Sequence, residues 1–379
     1  MTATLDRRLI LLLAGVTALG SLAIHMFVPA MPAVAREMAV TPGTVQLTIS
    51  LYLLGLGGGQ LAAGPVSDAV GRRPVLFAGI VIFVASSAIA ALAPSVEILL
   101  IARFIEAAGA AASMIAARAL ISDLSPREDA SAHLAALASA VLLSPTLAPT
   151  IGGILVSLAG WRAVFALLAL TGIAAGAAAM RLVPRQPPPG APPHLGRSYV
   201  RLARNSRFWG YVAGNALSSS ALFLFLAVSP FLLIGRYYLS PAQAGFCYLF
   251  IAGSAIVGTF VVRRLRGRDG FRIGLTAVAG GGAAMLGIAL LGGSGPVALI
   301  APMVLVGLGC GIVSPTGIAG AMHAEEGIAG TASSLAGAIQ MISSAGVTAA
   351  LSGMVSAPVP LAAAIFAAAL AALILAPRG

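Results

Sequence analysis

The chain has 379 residues, of which 59% are hydrophobic and 9% charged, and its formal net charge is +11. Soluble domains are about 45–50% apolar and about 25% charged, so this composition excludes a soluble fold. The apolar runs are long and continuous and only 6% of residues are aromatic, which predicts an all-α integral membrane protein rather than a β-barrel of short alternating strands with aromatic girdles.

Twelve apolar runs are long enough to cross a bilayer, for which about 20 residues are needed. Proline, glycine and serine interrupt the fifth, tenth and eleventh of them. We predict spans at 9–30, 45–63, 75–93, 98–121, 133–158, 162–183, 209–233, 243–262, 273–292, 296–316, 327–350 and 355–376.

The arginines set the orientation, because the chain contains no lysine. Seventeen of the 22 arginines fall on the side of the N-terminus, and only Arg36, Arg162 and Arg236 on the opposite side. By the positive-inside rule both termini are cytoplasmic. The charges lie on separate short loops, which favours contact with anionic lipid over nucleic acid. Arginine without lysine is typical of a GC-rich bacterium, so we predict a multi-pass protein of the bacterial inner membrane.

Charge is concentrated in GPVSDAVGRRP, residues 64–74, between predicted helices two and three. Gly64 would allow close helix contact, and Gly71 would permit a tight turn. Asp68 could pair with Arg72 or accept from a helix N-terminus. Arg72 and Arg73 alone would suffice to set topology, so the Gly and Asp spacing favours a conformational latch over a simple charged turn.

Two ionisable residues lie inside predicted helix four. Arg103 would cost several kcal/mol there unless it faces water or a partner. Glu106 follows three residues later, hence on the same helix face. The pair predicts either a proton-coupling site or an ion pair that only holds the bundle together.

His25 in helix one falls in the same outer third of the membrane as Arg103, judged by the helical rise of about 1.5 Å per residue. Our hypothesis is that His25 tunes Glu106, whose proton affinity is raised by burial and opposed by Arg103. The alternative for His25 is a hydrogen-bonded packing residue.

Helix five contains LLSPTLAPTIGGIL, residues 142–155. Pro145 and Pro149 would bend the helix, and Gly152 and Gly153 would let it approach a partner in the other half. Ordinary small-residue packing is the alternative.

Two further groups of polar residues have open roles. Arg118 and Asp123, at the inner end of helix four, could join the latch or form a helix-end pair. The amides Gln46, Gln60, Asn215 and Gln340 are possible substrate contacts, although interhelical hydrogen bonding is the commoner role for such residues.

A proline-rich and basic cytoplasmic linker at 184–208 divides the chain into two six-helix bundles, 1–183 and 209–379. Prolines forbid a helix in the first part of this linker. The basic second part, 197–207, is predicted to lie on the inner leaflet. Parallel repeats of six spans are expected of a transporter with a central cavity.

These motifs resemble the major facilitator superfamily. Its signature loop matches residues 64–73, and SLAIHMFVPAMPAVA, ARFIEAAGAAASMIAARALISDL and LLSPTLAPTIGGIL resemble its bicyclomycin-resistance (Bcr/CflA) branch of drug:proton antiporters. The resemblance implies that the loop latches onto the start of helix eleven near Gly327, that Arg103 serves proton relay, and that residues 145–153 form an antiporter motif. The family usually has Asp at His25, Tyr at Phe27 and Gln at Glu106, so the acid would have moved to Glu106.

The resulting prediction is a proton-coupled efflux transporter for drugs or other small molecules that works by alternating access. A facilitator or proton symporter on the same fold is the alternative, and a non-transporting membrane sensor is less favoured. No enzyme motif is present, and without lysine there is no P-loop for an ATP-driven pump. We expect the proton gradient as energy source, no cofactor or metal site, and a monomer in the bilayer whose ligands are the substrate and protons.

Overall fold

The computed structural model describes residues 6–126, 129–185, 201–265, 269–325, 328–354 and 357–377. Twelve helical segments in these ranges are long and apolar enough to cross a membrane, which confirms the predicted number. The helices are α1 Arg7–Phe27, α2 Met31–Glu37, α3 Pro42–Val70, α4 Arg72–Ala91, α5 Val96–Leu124, α6 Ala130–Ala159, α7 Arg162–Leu182, α8 Ser206–Pro230, α9 Pro241–Val261, α10 Gly270–Leu290, α11 Pro296–His323, α12 Ala329–Leu351 and α13 Pro358–Leu375.

Two spans contain irregular turns at the same end of the molecule. A 3-10 turn, Val28–Ala30, joins α1 to α2, so the first span reaches Glu37 rather than residue 30. A π-helical turn, Phe231–Arg236, continues α8. We call this end, opposite the start of α1, the outer end, because the arginine distribution predicts that it faces away from the cytoplasm.

The spans pack within two groups that correspond to the two halves of the chain. In the first, α5 packs against α3 and α4, α1 against α6, and α4 against α7. In the second, α11 packs against α9 and α10, and α13 against α8 and α10. Two helix pairs, α6 with α9 and α3 with α12, join the groups along a seam. The exact domain boundaries stay a prediction, and residues 186–200 of the linker lie outside the described residues.

Glycines allow the helices of each group to approach closely. A Cβ at Gly55 of α3 would overlap the carbonyl oxygen of Phe104 on α5, and one at Gly311 of α11 would overlap that of Ala255 on α9. Since lipid tails are as apolar as leucine, membrane helices associate through this kind of close backbone packing. The glycines at these contacts therefore serve helix packing.

The end of the linker packs on the second bundle through Leu202 and Asn205. Leu202 is fully buried against α8 and α12. Arg201 donates from Nη2 to Glu325 Oε1 at 2.5 Å, and Asn205 donates from Nδ2 to the carbonyl oxygen of Ala324 at 2.7 Å. The hydrogen bonds from Arg201 and Asn205 hold the pKa of Glu325 below its usual value. Leu202 and Asn205 therefore contact protein, and the leaflet contact of the basic stretch 197–207 stays a prediction.

The seam is tightest at the outer end. A Cβ at Gly153 of α6 would overlap the carbonyl oxygen of Pro241 on α9, and one at Gly245 of α9 would overlap that of Pro149. On the other side of the seam, Gly43 of α3 would meet the backbone of Gly353, after α12. The two groups therefore touch through backbone at both outer corners.

We expect Gly153→Val to force this seam apart, because the added methyl groups would meet backbone rather than a flexible side chain. Overpacking of this kind costs about 1–3 kcal/mol. The measurement is the reactivity of a cysteine introduced at Ala242, beside Gly153, which should rise. Gly253→Val on α9 is the matched control, since a Cβ at Gly253 meets nothing within 4 Å. Equal reactivity in the two variants would contradict the close seam.

Candidate functional site

The centre of the site is a buried ion pair on α5. Arg103 Nη1 lies 2.5 Å from Glu106 Oε2, and both side chains are 0% exposed. Ser87 of α4 donates from its hydroxyl to Glu106 Oε1 at 2.7 Å. The same Arg103 nitrogen lies 3.4 Å from the carbonyl oxygen of Ala23 on α1. The spacing of three residues thus brings the two charges together as the sequence predicts.

Three aromatic rings from other helices surround the guanidinium. Its Cζ lies 4.0 Å from the ring centre of Tyr52 on α3, 5.1 Å from that of Phe27 on α1 and 5.6 Å from that of Phe165 on α7. Arg103 Nε and Nη2 are buried without a hydrogen-bond partner among the described residues. Cation–π attraction, worth about 2 kcal/mol or more when desolvated, therefore partly replaces hydrogen bonds on this side.

The orientation of Tyr52 is fixed from a neighbouring helix. Its hydroxyl donates to the carbonyl oxygen of Gly20 on α1 at 2.8 Å, and its side chain is fully buried. Tyr52, Phe165 and Ser87 were not predicted as site residues, since nothing in their local sequence marks them. Only the fold brings α1, α3, α4 and α7 around one arginine.

His25 is buried but bonds within its own helix. Its Nδ1 lies 2.7 Å from the carbonyl oxygen of Ser21 and 3.4 Å from the Ser21 hydroxyl. Among the described residues it has no hydrogen bond to Arg103 or Glu106. This geometry matches the packing role that the sequence left open, and the tuning of Glu106 by His25 stays a prediction.

The loop between α3 and α4 contains a charged cluster. Arg72 pairs with Asp68 and, through Nε, with Asp123 Oδ2 of α5 at 3.2 Å. Its Nη1 also lies 3.4 Å from the Ser67 hydroxyl. Gly71 has φ +106°, a region that favours glycine, as the predicted tight turn requires. The cluster therefore ties the loop to the inner end of α5.

Two residues assigned to this latch lie apart from it. A Cβ at Gly64 would meet nothing within 4 Å, so the predicted close helix contact there is wrong: this face of α3 borders open space. Arg118 is exposed and, within the described ranges, forms no ion pair with an acid. Arg73, which was also assigned to the latch, places its guanidinium 5.2 Å from the centre of the Phe77 ring. Gly327 lies outside the described residues, and α12 begins at Ala329.

Helix α6 runs unbroken through its two prolines, from Ala130 to Ala159. Gly153 approaches α9 of the other half as predicted. The expectation for Gly152 is wrong, because a Cβ there would overlap the carbonyl oxygen of Met26 on α1, in the same half. Successive residues on a helix are turned by about 100°, so neighbouring glycines serve different partners.

The four predicted polar contacts hydrogen-bond or pack between helices. Asn215 Nδ2 donates to Gln340 Oε1 at 3.0 Å, and Gln340 Nε2 donates to the Ser219 hydroxyl at 2.7 Å. Gln46 Oε1 accepts from the backbone nitrogen of Gly353 at 3.1 Å, across the outer seam. Gln60 Oε1 would lie 3.2 Å from a Cβ at Gly337 of α12. These contacts match interhelical bonding, the alternative to substrate contact that the sequence left open for the four amides.

Other polar atoms near the seam are buried without a partner in the described part of the chain. They are the hydroxyls of Ser50 on α3, Thr146 on α6 and Thr348 on α12, and Oδ1 of Asn215 on α8. Each belongs to a helix that packs near or across the seam. Buried polar groups are normally hydrogen-bonded, so these four atoms are exceptions. Sequence reasoning identified only Asn215 among them.

Two packed groups of six spans, with a buried ion pair in one and unpartnered polar atoms along the seam, define the class of membrane secondary transporters. The family model of the Major Facilitator Superfamily matches residues 13–348, and the chain belongs to that family. It is therefore a multi-pass membrane protein of a transporter family rather than of an enzyme family.

Several curated relatives are named for drug resistance. The chain is 33% identical over 330 residues to the chloramphenicol resistance protein of Pseudomonas aeruginosa, covering 85% of this chain and 78% of the relative. It is 31% identical over 352 residues to multidrug resistance protein D of Escherichia coli, covering 91% and 88%. It is 27% identical over 327 residues to a bicyclomycin resistance protein homolog of Haemophilus influenzae, covering 84% and 82%. The resemblance to this drug-efflux branch is thus confirmed.

Solved structures show the same fold at low sequence identity. A D-xylose-proton symporter aligns with a TM-score of 0.75 and 16% identity, covering 98% of each chain. A bacterial homolog of the lysosomal transporter Spinster, in an inward-facing and unoccupied conformation, aligns with a TM-score of 0.74 and 14% identity, covering 97% and 93%. These structures confirm the predicted fold class.

Proposed function

We propose that this protein exports drugs or other small molecules in exchange for protons, by alternating access of a site between its two bundles. The observation that carries the proposal is the Arg103–Glu106 pair. Glu106 is the one acid that the sequence places in the middle of a span, because the other ten lie at helix ends or in loops. A buried carboxylate beside an arginine can exchange a proton when the surrounding helices part. The names of the relatives support drug export.

The finer assignments rest on the sequence and the family. We infer a bacterial inner-membrane location with both termini in the cytoplasm, from the arginine distribution and the bacterial relatives. We also infer that a monomer is the working unit and that the proton gradient supplies the energy without a cofactor.

One conformation of the transport cycle is supported by the seam. The outer corners touch through Gly153 and Gly43, whereas Gly64 of α3 and Gly330 of α12, near the inner ends, each have open space where a Cβ would lie. The pairs Gly43–Gly353 and Gln60–Gly337 give the antiparallel register of α3 and α12, in which Gly64 lies opposite residues 332–333, within one helical turn of Gly330. We infer that the bundles are closed outside and parted inside.

The unpartnered polar atoms give the substrate its contacts. We propose that the Asn215 carbonyl and the hydroxyls of Ser50, Thr146 and Thr348 bind substrate, because a buried polar atom left unpaired costs about 1–3 kcal/mol that a ligand can recover. Gln340 positions Asn215 by holding its amide nitrogen.

The test uses inverted membrane vesicles with an acid-loaded lumen and chloramphenicol as the probe. An exporter that exchanges drug for protons should carry drug into the lumen and release protons from it, which a pH-sensitive dye reports as dequenching. A proton symporter would carry protons inward with the drug, and a facilitator or a sensor would leave the lumen pH unchanged. Either of the last two results would overturn the proposal.

A further inference from the structure

We propose that Glu37 and Trp161 are positioning residues for Arg103, because they form a clasp at the outer end that couples the outer seam to the buried ion pair. The clasp consists of Glu37, Trp161 and Arg162. This inference rests on the proposed function for its role in transport, whereas its geometry is independent of that role.

Both oxygens of the Glu37 carboxylate, at the end of α2, accept hydrogen bonds. Trp161 Nε1 donates to Oε2 at 2.7 Å, and Arg162 pairs with Oε1. Arg162 also donates from Nη2 to the carbonyl oxygen of Ala93, after α4, at 3.3 Å. Its Cζ lies 4.2 Å from the ring centre of Trp161, which is 2% exposed. The clasp thus fixes α2 to the loop before α7 and to the end of α4, all in the first bundle.

The segment that the clasp holds lies between the two bundles. The turn Val28–Ala30 packs on α6 of the first bundle and on α8 and α9 of the second, and α2 packs on the π-helical turn that follows α8. Val28, Met31 and Val34 are fully buried. The outer seam cannot part unless this segment separates from the second bundle or leaves the first.

A continuous line of aromatic contacts leads from the clasp to Arg103. The Trp161 ring meets the Phe165 ring edge to face, with centres 6.1 Å apart, and the Phe165 ring meets that of Phe27 at 5.2 Å. Both phenylalanine rings lie over the Arg103 guanidinium. Phe27 is the last residue of α1, immediately before the turn. Displacing the segment therefore moves Phe27 relative to Arg103.

The ion pair is in a position to respond to this movement. In the described ranges, Arg103 and Glu106 face each other and Tyr52 of α3 as charged or titratable groups. The other polar contacts are the Ser87 hydroxyl of α4 and the Ala23 carbonyl of α1. His25 of α1 bonds to Ser21 instead. Since so few groups hold the guanidinium, a shift of Phe27 and Phe165 changes how strongly Arg103 pairs with Glu106. The outer seam and the proton site then move together.

The test measures the outer seam directly in full-length protein in lipid nanodiscs. A cysteine at Ala242, beside Gly153, is placed in a background in which Cys247 and Cys310 are replaced by serine. Its rate of modification by an impermeant maleimide is divided by that of Leu291→Cys, an exposed position at the same end. This ratio, measured from pH 5 to pH 9, removes the reagent's own pH dependence.

We expect Glu37→Gln and Trp161→Phe each to raise the ratio about tenfold, because hydrogen bonds to a charged group contribute at least this factor. Glu97→Gln, an exposed acid at the same end without a clasp contact, should leave it unchanged. We also expect the reactivity ratio of the unmodified clasp to change with pH. Glu106→Gln should remove this pH dependence, and Glu37→Gln should shift the pH at which the ratio is half-way between its limits.

Each result decides the inference. A ratio unchanged in Glu37→Gln overturns the clasp. A raised ratio with an unmoved pH midpoint, or a pH dependence that survives Glu106→Gln, overturns the coupling to Arg103. The proposed function fails separately, if chloramphenicol releases no protons from vesicles, because the labelling needs no transport.

Discussion

Arg103→Ala is expected to destabilise the protein by about 3–5 kcal/mol, the usual loss when one partner of a buried ion pair is removed. The Glu106 carboxylate would remain fully buried with the Ser87 hydroxyl as its partner. The rings of Phe27, Tyr52 and Phe165 would also lose the cation at their centre. The measurement is thermal unfolding of purified protein in nanodiscs. Arg118→Ala is the control on the same helix, because Arg118 is exposed, and it should change stability little.

The combination of Arg103→Ala with Glu106→Gln tests the reason for this loss. If an unpaired buried charge causes the destabilisation, neutralising Glu106 should restore much of the stability, as expected for coupled residues. Transport should not return, since both groups of the proposed proton site are gone. A double variant no more stable than Arg103→Ala would show that the aromatic contacts, and not the ion pair, hold this region together.

The number of spans was predictable because each span is a local property of the sequence. Twenty apolar residues in a row have few alternatives to a membrane helix, and the arginines mark the ends. The pairing of Arg103 with Glu106 was predictable for the same reason, since three residues along one helix fix their separation. The rings of Tyr52, Phe27 and Phe165 come from three different helices, and their meeting at Arg103 depends on tertiary packing.

The glycine predictions show where local reasoning fails. The sequence marks Gly64, Gly152 and Gly153 as small, but the partner of each depends on helix rotation. Gly153 meets α9, Gly152 meets α1 and Gly64 meets open space. The space at Gly64 also depends on the conformation, because α12 would approach it if the inner ends closed. A family motif defined for the whole transport cycle need not be packed in each state.

The outer extension of the first span was missed for a different reason. Pro29 and Pro32 lie on either side of residue 30, the predicted end of the first span. Proline normally ends a helix. Both occupy the first turn of a new helical segment, where the missing N–H group costs nothing. The chain therefore continues to Glu37, and the clasp could not be foreseen from a span that ended seven residues earlier.

Glu106→Gln is expected to abolish proton-driven export while leaving passive exchange of the drug across the membrane intact. Glutamine keeps one carbonyl oxygen that accepts from Arg103, and its amide nitrogen can donate to the Ser87 hydroxyl, but it cannot carry a proton between the two sides. One charge moving through 100 mV supplies about 2.3 kcal/mol, enough for a drug gradient of roughly fifty-fold. We therefore expect accumulation in energised inverted vesicles to fall from that range to equilibrium, with Glu97→Gln unchanged.

Two measurements separate this outcome from a purely structural role for the pair. Counterflow, in which labelled chloramphenicol exchanges with unlabelled drug, needs no proton and should persist in Glu106→Gln at a rate close to that of the unmodified protein. Loss of both counterflow and accumulation would indicate a damaged fold. Accumulation that persists would mean that the acid has not moved to Glu106, and that another group carries the proton. We propose Glu106 because its carboxylate lies between Arg103 and Ser87 of α4, and Arg103 in turn contacts side chains or backbone of α1, α3 and α7.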